Sequence, residues 1–273
     1  MRKSFDTPGT ASLYVELGSG QVAIRATETD ETAVNVEGPD AEDTTVEQRG
    51  DQIVVIAPQR RSGLLGFGGG LTVTVSLPHD SDLTTKLGSA DLEVTGRLGP
   101  TRVKSGSGEV RVDKLSQDAV LKTGSGNVQV AGSTGDLRVK TGSGHVQVGR
   151  TEGTAVVATG SGRVSLDATE AETVVKTGSG DVLVGSAGAD VSMSSGSGDL
   201  EVASVSRGAV TAKTASGSVV VGVVGGVPVW TDISTLSGHV RSNLVGAGQP
   251  AEGQDHVEIR ATTVSGDVVL TQL

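Results

Sequence analysis

The chain contains no cysteine, and its aromatics are only Phe5, Tyr14, Phe67 and Trp230. Without cysteine there is no disulfide framework, no thiolate metal site and no thiol nucleophile, which fits a reducing compartment. So few aromatics exclude a core built on Phe, Tyr and Trp. The interior must come from Val, Leu, Ile, Ala and Thr instead. No stretch approaches the roughly 18 apolar residues of a membrane span. The first residues, Met1 to Asp6, are basic but lack an apolar h-region, so no secretory signal is expected. The expectation is a soluble cytoplasmic protein. A net charge of −10 argues against non-specific binding to nucleic acid or anionic membranes.

Glycine, by contrast, is abundant, with 41 in 273 residues. Much of it falls in one repeated tripeptide, Gly-Ser-Gly, followed by Xaa-Val-Xaa-Val. The central serines Ser107, Ser125, Ser143, Ser161, Ser179 and Ser197 follow one another in steps of 18 residues. Ser19 and Ser89 are earlier copies. The spacing then drifts through Ser216, Ser237 and Ser265, where Ala215, Leu236 and Val264 replace the first glycine. A fixed period near 20 residues made of strand-like segments is the mark of a β-solenoid.

Alternation gives the register, because strand side chains point to opposite faces in turn. After each Gly-Ser-Gly the pairs Val110/Val112, Val128/Val130, Val146/Val148, Val164/Leu166, Val182/Val184, Leu200/Val202 and Val219/Val221 are all apolar. The positions between and before them change freely, from Glu109 to Asn127, His145, Arg163, Asp181 and Asp199, as a solvent face does. The apolar pairs are therefore predicted to be the core, with Ala119, Leu121 and Thr123 facing inward on the preceding strand. The predicted fold is all-β: a single-chain parallel β-helix or β-solenoid with 18-residue coils, expected to be right-handed. Coils stacked about 4.8 Å apart would make a rod on the order of 50 Å long. One domain, 1–273, is expected, with irregular N-terminal coils and a loop in 1–87, regular repeats in 88–221 and irregular coils in 222–273. The Gly-Ser-Gly reads as the corner. Its glycines would allow the backbone angles of a sharp bend, and its serine would point inward or along the corner to satisfy backbone groups.

The repeated Thr-Gly-Ser-Gly-Xaa-Val-Xaa-Val, the preceding Val-Lys and the Gly-rich loop upstream resemble the bacterial β-strand-repeat family of unknown function whose members are called candidate adhesins. The pattern looks like that of actinobacterial-type members. The resemblance runs from about Ser12 to Leu270. It implies a solenoid and supplies no catalytic motif.

Several chemistries fit poorly. A calcium β-roll needs an aspartate turn twice per coil, whereas this turn comes once and, among the copies that end in glycine, is followed by an acid only at Glu109, Asp181, Asp199 and Asp267. No calcium array is expected. His79, His145, His239 and His256 show no metal-ligand spacing. No enzyme, cofactor, metal site or nucleic-acid partner is expected. The expected role is a structural or interaction scaffold that self-associates or binds a protein partner. The alternative is a surface adhesin or carbohydrate binder exported non-classically.

Three places carry the candidate contacts. The loop 59–70 holds Leu64, Leu65 and Phe67 beside Arg60 and Arg61. It reads either as a flap over the solenoid or as an exposed apolar contact. Lys104, Lys122, Lys140 and Lys176, with Arg102, Arg138 and Lys213, recur on the outward face, with acids such as Asp113, Asp136 and Asp190 in the opposite loops. They read as a solubilising face or as a dock for an acidic partner. The last segment, with Val268 and Leu270, has no polar cap after it and is expected either to present an open strand edge or to be folded over by the insertions at 222–230 and 242–258, which hold Pro228, Trp230 and Pro250.

Overall fold

The computed structural model describes residues 1–58, 70–246 and 254–273. Leu64, Leu65 and Phe67 lie outside them. Among the described residues every regular element is a strand, and most neighbours pair in parallel at one-coil offsets, so the fold is the all-β solenoid the repeat predicts. The chain divides into two compact units, Met1–Gly135 and Asp136–Leu273.

The first unit holds β1 (Arg2–Asp6), β2 (Ser12–Leu17), β3 (Gly20–Thr27), β4 (Glu31–Glu37), β5 (Thr45–Arg49), β6 (Gln52–Ile56), β7 (Leu71–Pro78), β8 (Asp82–Leu87), β9 (Asp91–Leu98), β10 (Thr101–Ser105), β11 (Val110–Leu115), β12 (Ala119–Thr123) and β13 (Val128–Ser133). They form two ladders, β1-β4-β7-β3-β9-β11-β13 and β5-β6-β2-β8-β10-β12. Each coil gives one strand to each ladder. Val103 thus sits beside Leu121, and Val112 beside Val130. The chain does not stack in order at the start. β6 and β7 lie on the far side of β2 and β3 from β8 and β9. Beyond them β5 and β4 run antiparallel to β6 and β7, and their Val46, Val34 and Val36 are buried. The sequence pattern indicates strands near β4 and β6 but not β1, β5 or the antiparallel pairing.

The second unit holds β14 (Leu137–Thr141), β15 (Val146–Thr151), β16 (Ala155–Thr159), β17 (Val164–Thr169), β18 (Thr173–Thr177), β19 (Val182–Ala187), β20 (Val191–Ser197), β21 (Leu200–Val205), β22 (Gly208–Ser216), β23 (Val219–Val223), β24 (Val229–Thr235), β25 (Val240–Ser242), β26 (Val257–Ser265) and β27 (Val268–Gln272). Its ladders are β14-β16-β18-β20-β22-β26-β24 and β15-β17-β19-β21-β23-β27-β25. The order breaks again. β26 pairs with both β22 and β24, and β27 with both β23 and β25. The last strands in sequence are therefore interior. Val268 is 0% and Leu270 2% exposed. The expected open edge at Val268 and Leu270 is corrected by this insertion: the outer coil of the unit is β24–β25.

The core follows the predicted faces. The apolar pairs after each turn are buried, as are Ala119, Leu121, Leu137, Val139, Ala155 and Val157 on the preceding strands. Burying each Val or Leu side chain contributes on the order of 2 kcal/mol, and stacking like over like keeps the interior close-packed without aromatics.

The corner works differently from the expectation. The glycines at 106, 124, 126, 160, 162, 178 and 180 do not need left-handed angles. They are needed because coils touch through them. A Cβ on Gly126 would lie 2.0 Å from the Gly108 carbonyl oxygen, and one on Gly162 would lie 1.9 Å from that of Gly144. The serines at 107, 125, 143, 161, 179 and 197 are exposed, which corrects the inward hydroxyl ladder. The residue just before the tripeptide takes that role. Thr123, Thr141, Thr159 and Thr177 are buried, and their hydroxyls accept the N–H of Gly126, Gly144, Gly162 and Gly180 at 2.9–3.0 Å. Threonine suits the place because its methyl packs in the core while its hydroxyl satisfies a donor that would otherwise be orphaned.

Candidate interaction surfaces

The position after Gly-Ser-Gly carries a second ladder, on the outside. The Asp91 carboxylate accepts the Glu109 N–H at 2.8 Å, Asp181 that of Asp199 at 3.2 Å, and Asp199 that of Ser218 at 2.8 Å. His145 does the same through Nδ1 for Arg163 at 3.0 Å. Asp267 holds the His239 N–H at 2.9 Å, and this bond, with Arg241 nearby, keeps its carboxyl below the usual range. These acids and this histidine each tie one coil to the next, a structural use of the carboxylates. Among the described residues no group of three or more His, Cys, Asp or Glu side chains is arranged to hold a metal ion.

The predicted lysines are all exposed. In the first unit Lys104 lies in register with Lys86 on one side and Lys122 on the other. Lys86 is neutralised by Glu16 at 2.9 Å. Among the described residues no carboxylate pairs with Lys104 or Lys122. Two bare ammonium groups on adjacent strands repel each other. In the second unit the column runs Lys140, Ala158, Lys176, Ser194, Lys213, so cations alternate with small neutral residues. The acids on the loops are partly spoken for. Asp113 accepts the Gly96 N–H, Asp136 that of Thr154 and Asp190 that of Ala209, and Glu170 pairs with Arg150.

One corner of the first unit is distinctive. Asp80 sits at φ 59°, takes both ends of the Arg97 guanidinium, and accepts the Ser116 hydroxyl at 2.6 Å. Arg97 first, then Ser116, lower its pKa to about 2. Beside it His79 Nδ1 is buried with no hydrogen-bond partner among the described residues. A cavity of about 570 Å³ opens nearby, lined by Arg102, Ser116, Gln117 and Asp118 among others. Asp80, held ionised by Arg97, is a weak base for the Ser116 hydroxyl it accepts. The clasp fixes a turn.

The sequence marks the stretch after 221 as a break in the repeat and a place for function, without assigning a contact residue within the outer coil of the second unit. Among the described residues no further coil covers its inward positions. Thr231 is exposed, Ile233 half-buried and Val240 50% exposed. The large exposed hydrophobics among the described residues all fall in this last stretch of chain: Val224, Trp230, Leu236, Val240, Val245, Val264 and Leu273. Leu236 is 83% and Trp230 52% exposed, and the Arg260 guanidinium lies 5.4 Å from the Trp230 ring centre. Leu236 replacing a corner glycine was the available sequence signal.

Stacked parallel coils, glycine corners and a threonine ladder define a β-solenoid of the toastrack kind. The chain belongs to the Toastrack DUF4097 family, whose profile matches residues 11–271. Among curated proteins none matches the sequence. Similar solved structures include a candidate adhesin from Bacteroides fragilis at 10% identity, covering 99% of this chain and 96% of that one, with a TM-score of 0.37. Another is a candidate cell adhesion protein from Clostridium sporogenes at 11% identity, covering 100% and 99%, TM-score 0.23. A candidate lipid-binding protein from Parabacteroides distasonis matches at 11% identity, covering 98% and 96%, TM-score 0.40.

Proposed function

We propose that the protein is a non-enzymatic scaffold of the cytoplasm that holds an acidic protein partner along its lysine columns and also self-associates. The observation that carries the reading is the column itself: Lys104 and Lys122 stand side by side without a counter-ion from the described chain. Repeated cations at coil spacing attract an anionic surface and lose that attraction in salt. Reversing Lys122, Lys140 and Lys176 to Glu is the test. Capture of acidic proteins from cell extract is expected to fall, and to fall likewise for the unmodified chain as salt is raised. Undiminished capture by the reversed variant sinks the reading. Cell fractionation checks the compartment, and finding the chain on the cell surface would favour the adhesin alternative.

A further inference from the structure

We propose that the outer coil of the second unit is a two-fold interface that seats a second copy of this chain, β24 pairing antiparallel with its own mate. The proposal rests on the self-association part of the functional reading and gives it a place and a register.

Among the described residues β24 has a hydrogen-bonded neighbour on one side only, β26. Its other edge meets no described strand, which makes it a template for another. At the other extreme of the chain, β4 and β5 cover the outer coil of the first unit and bury their valines. Among the described residues nothing comparable covers β24.

The sequence of β24 and the residues flanking it says what fits there. Trp230-Thr231-Asp232-Ile233-Ser234-Thr235-Leu236 reads apolar, Thr, polar, Ile, polar, Thr, apolar from either end. Antiparallel pairing of two copies about Ile233 sets Ile233 against Ile233, Thr231 against Thr235, Asp232 against Ser234 and Trp230 against Leu236. Opposed residues point to the same face, so the register agrees with the fold: 231, 233 and 235 face inward with Ile259 and Ala261 of β26, while 230 and 236 face outward. The two most exposed hydrophobics of the strand region would cover each other. No like charges meet, whereas a register centred on Asp232 would set two aspartates face to face. A strand that matches itself in reverse is what an isologous contact requires. Such a contact closes at two copies and does not grow into fibres.

The absence of cysteine makes the register directly testable in the full chain. In the Ile233→Cys variant the two thiols face each other across the axis, within disulfide reach. In Thr231→Cys the two thiols lie four residues out of register, roughly 14 Å apart. Mild oxidation is expected to link Ile233→Cys chains to one another and to leave Thr231→Cys chains unlinked. A mixture of Thr231→Cys and Thr235→Cys chains should link to each other. Sedimentation of the unmodified chain should show a dimer as concentration rises, with emission of the sole tryptophan, Trp230, shifting to the blue as it is covered. Leu236→Asp, on an exposed side chain, should weaken the dimer at least tenfold while leaving the melting temperature unchanged at dilutions where both chains are monomeric. A chain that stays monomeric at every concentration overturns both this proposal and the self-association reading. A dimer that forms but cross-links equally at 231 and 233, or tolerates Leu236→Asp, overturns the proposed interface alone.

Discussion

Arg97 grips Asp80 with two parallel bonds, Nε to one carboxylate oxygen at 2.7 Å and Nη2 to the other at 2.6 Å. The pair is partly exposed, and Asp80 side chain retains 32% of its surface. Because the folded pKa, about 2, lies below the ordinary 3.8, the ionised form is the stabilised one. The contribution is complete above about pH 4 and disappears as pH falls from there towards 2. Asp80→Asn keeps a residue tolerant of positive φ and removes the charge. It is expected to lower stability by about 1 kcal/mol at pH 7, after allowing for solvent screening, and by progressively less below pH 4. Denaturant melts of both chains across pH 2–7 check the sign.

The threonine ladder gives a paired prediction. Thr159 is buried, accepts the Gly162 N–H at 3.0 Å and reaches the Gly144 carbonyl at 3.4 Å. Thr159→Val keeps the shape and strands that N–H, at a cost of about 1–3 kcal/mol. Ser161→Ala, two residues on and exposed, should change stability by less than about 0.5 kcal/mol. Equal losses at both sites would return the corner to the serine.

The glycines divide in the same way. Gly162→Ala drives a methyl into the Gly144 carbonyl 1.9 Å away, and is expected to cost about 3 kcal/mol as coils are pushed apart. Gly18 has nothing within 4 Å of its would-be Cβ. Gly18→Ala should be neutral or slightly stabilising, by about 0.5 kcal/mol, through the unfolded chain. Thermal melts of the two variants read this directly.

Removing one bare cation should help the fold. Lys104→Gln relieves its repulsion from Lys122, and about 0.5 kcal/mol of stability is expected at low ionic strength. The gain should vanish near 1 M salt, where the screening length is about 3 Å. A gain independent of salt would mean that something other than charge is relieved.

Much of this was legible in the residues. The alternation of Val110/Val112 through Val219/Val221 identifies the inner face because water rejects that pattern nowhere else. The corner was located but its chemistry was not. Gly-Ser-Gly looks like a flexible hinge until the neighbouring coil is present, and only then does the carbonyl of Gly144 forbid a Cβ on Gly162. The order of the coils was illegible for a related reason. Alternation tells a strand which side is inside, but not which strand lies beside it. Exchanging the places of β24–β25 and β26–β27 preserves every buried face, so nothing in Val268 or Leu270 announces that they end up interior. The same silence hid the exposure of Trp230 and Leu236.

The insertion of β26–β27 between two earlier coils has a consequence for how the chain is made. Synthesis delivers residues from the N-terminus, and the stack from β14 to β23 can grow as it emerges, each coil landing on the one before. β24 and β25 break that rhythm. They appear before the strands they pair with among the described residues, and must wait until β26 and β27 arrive to fill the gap. This end of the protein closes like a drawer pushed in last, and the wait is when its bare strand edges are most open to a wrong neighbour.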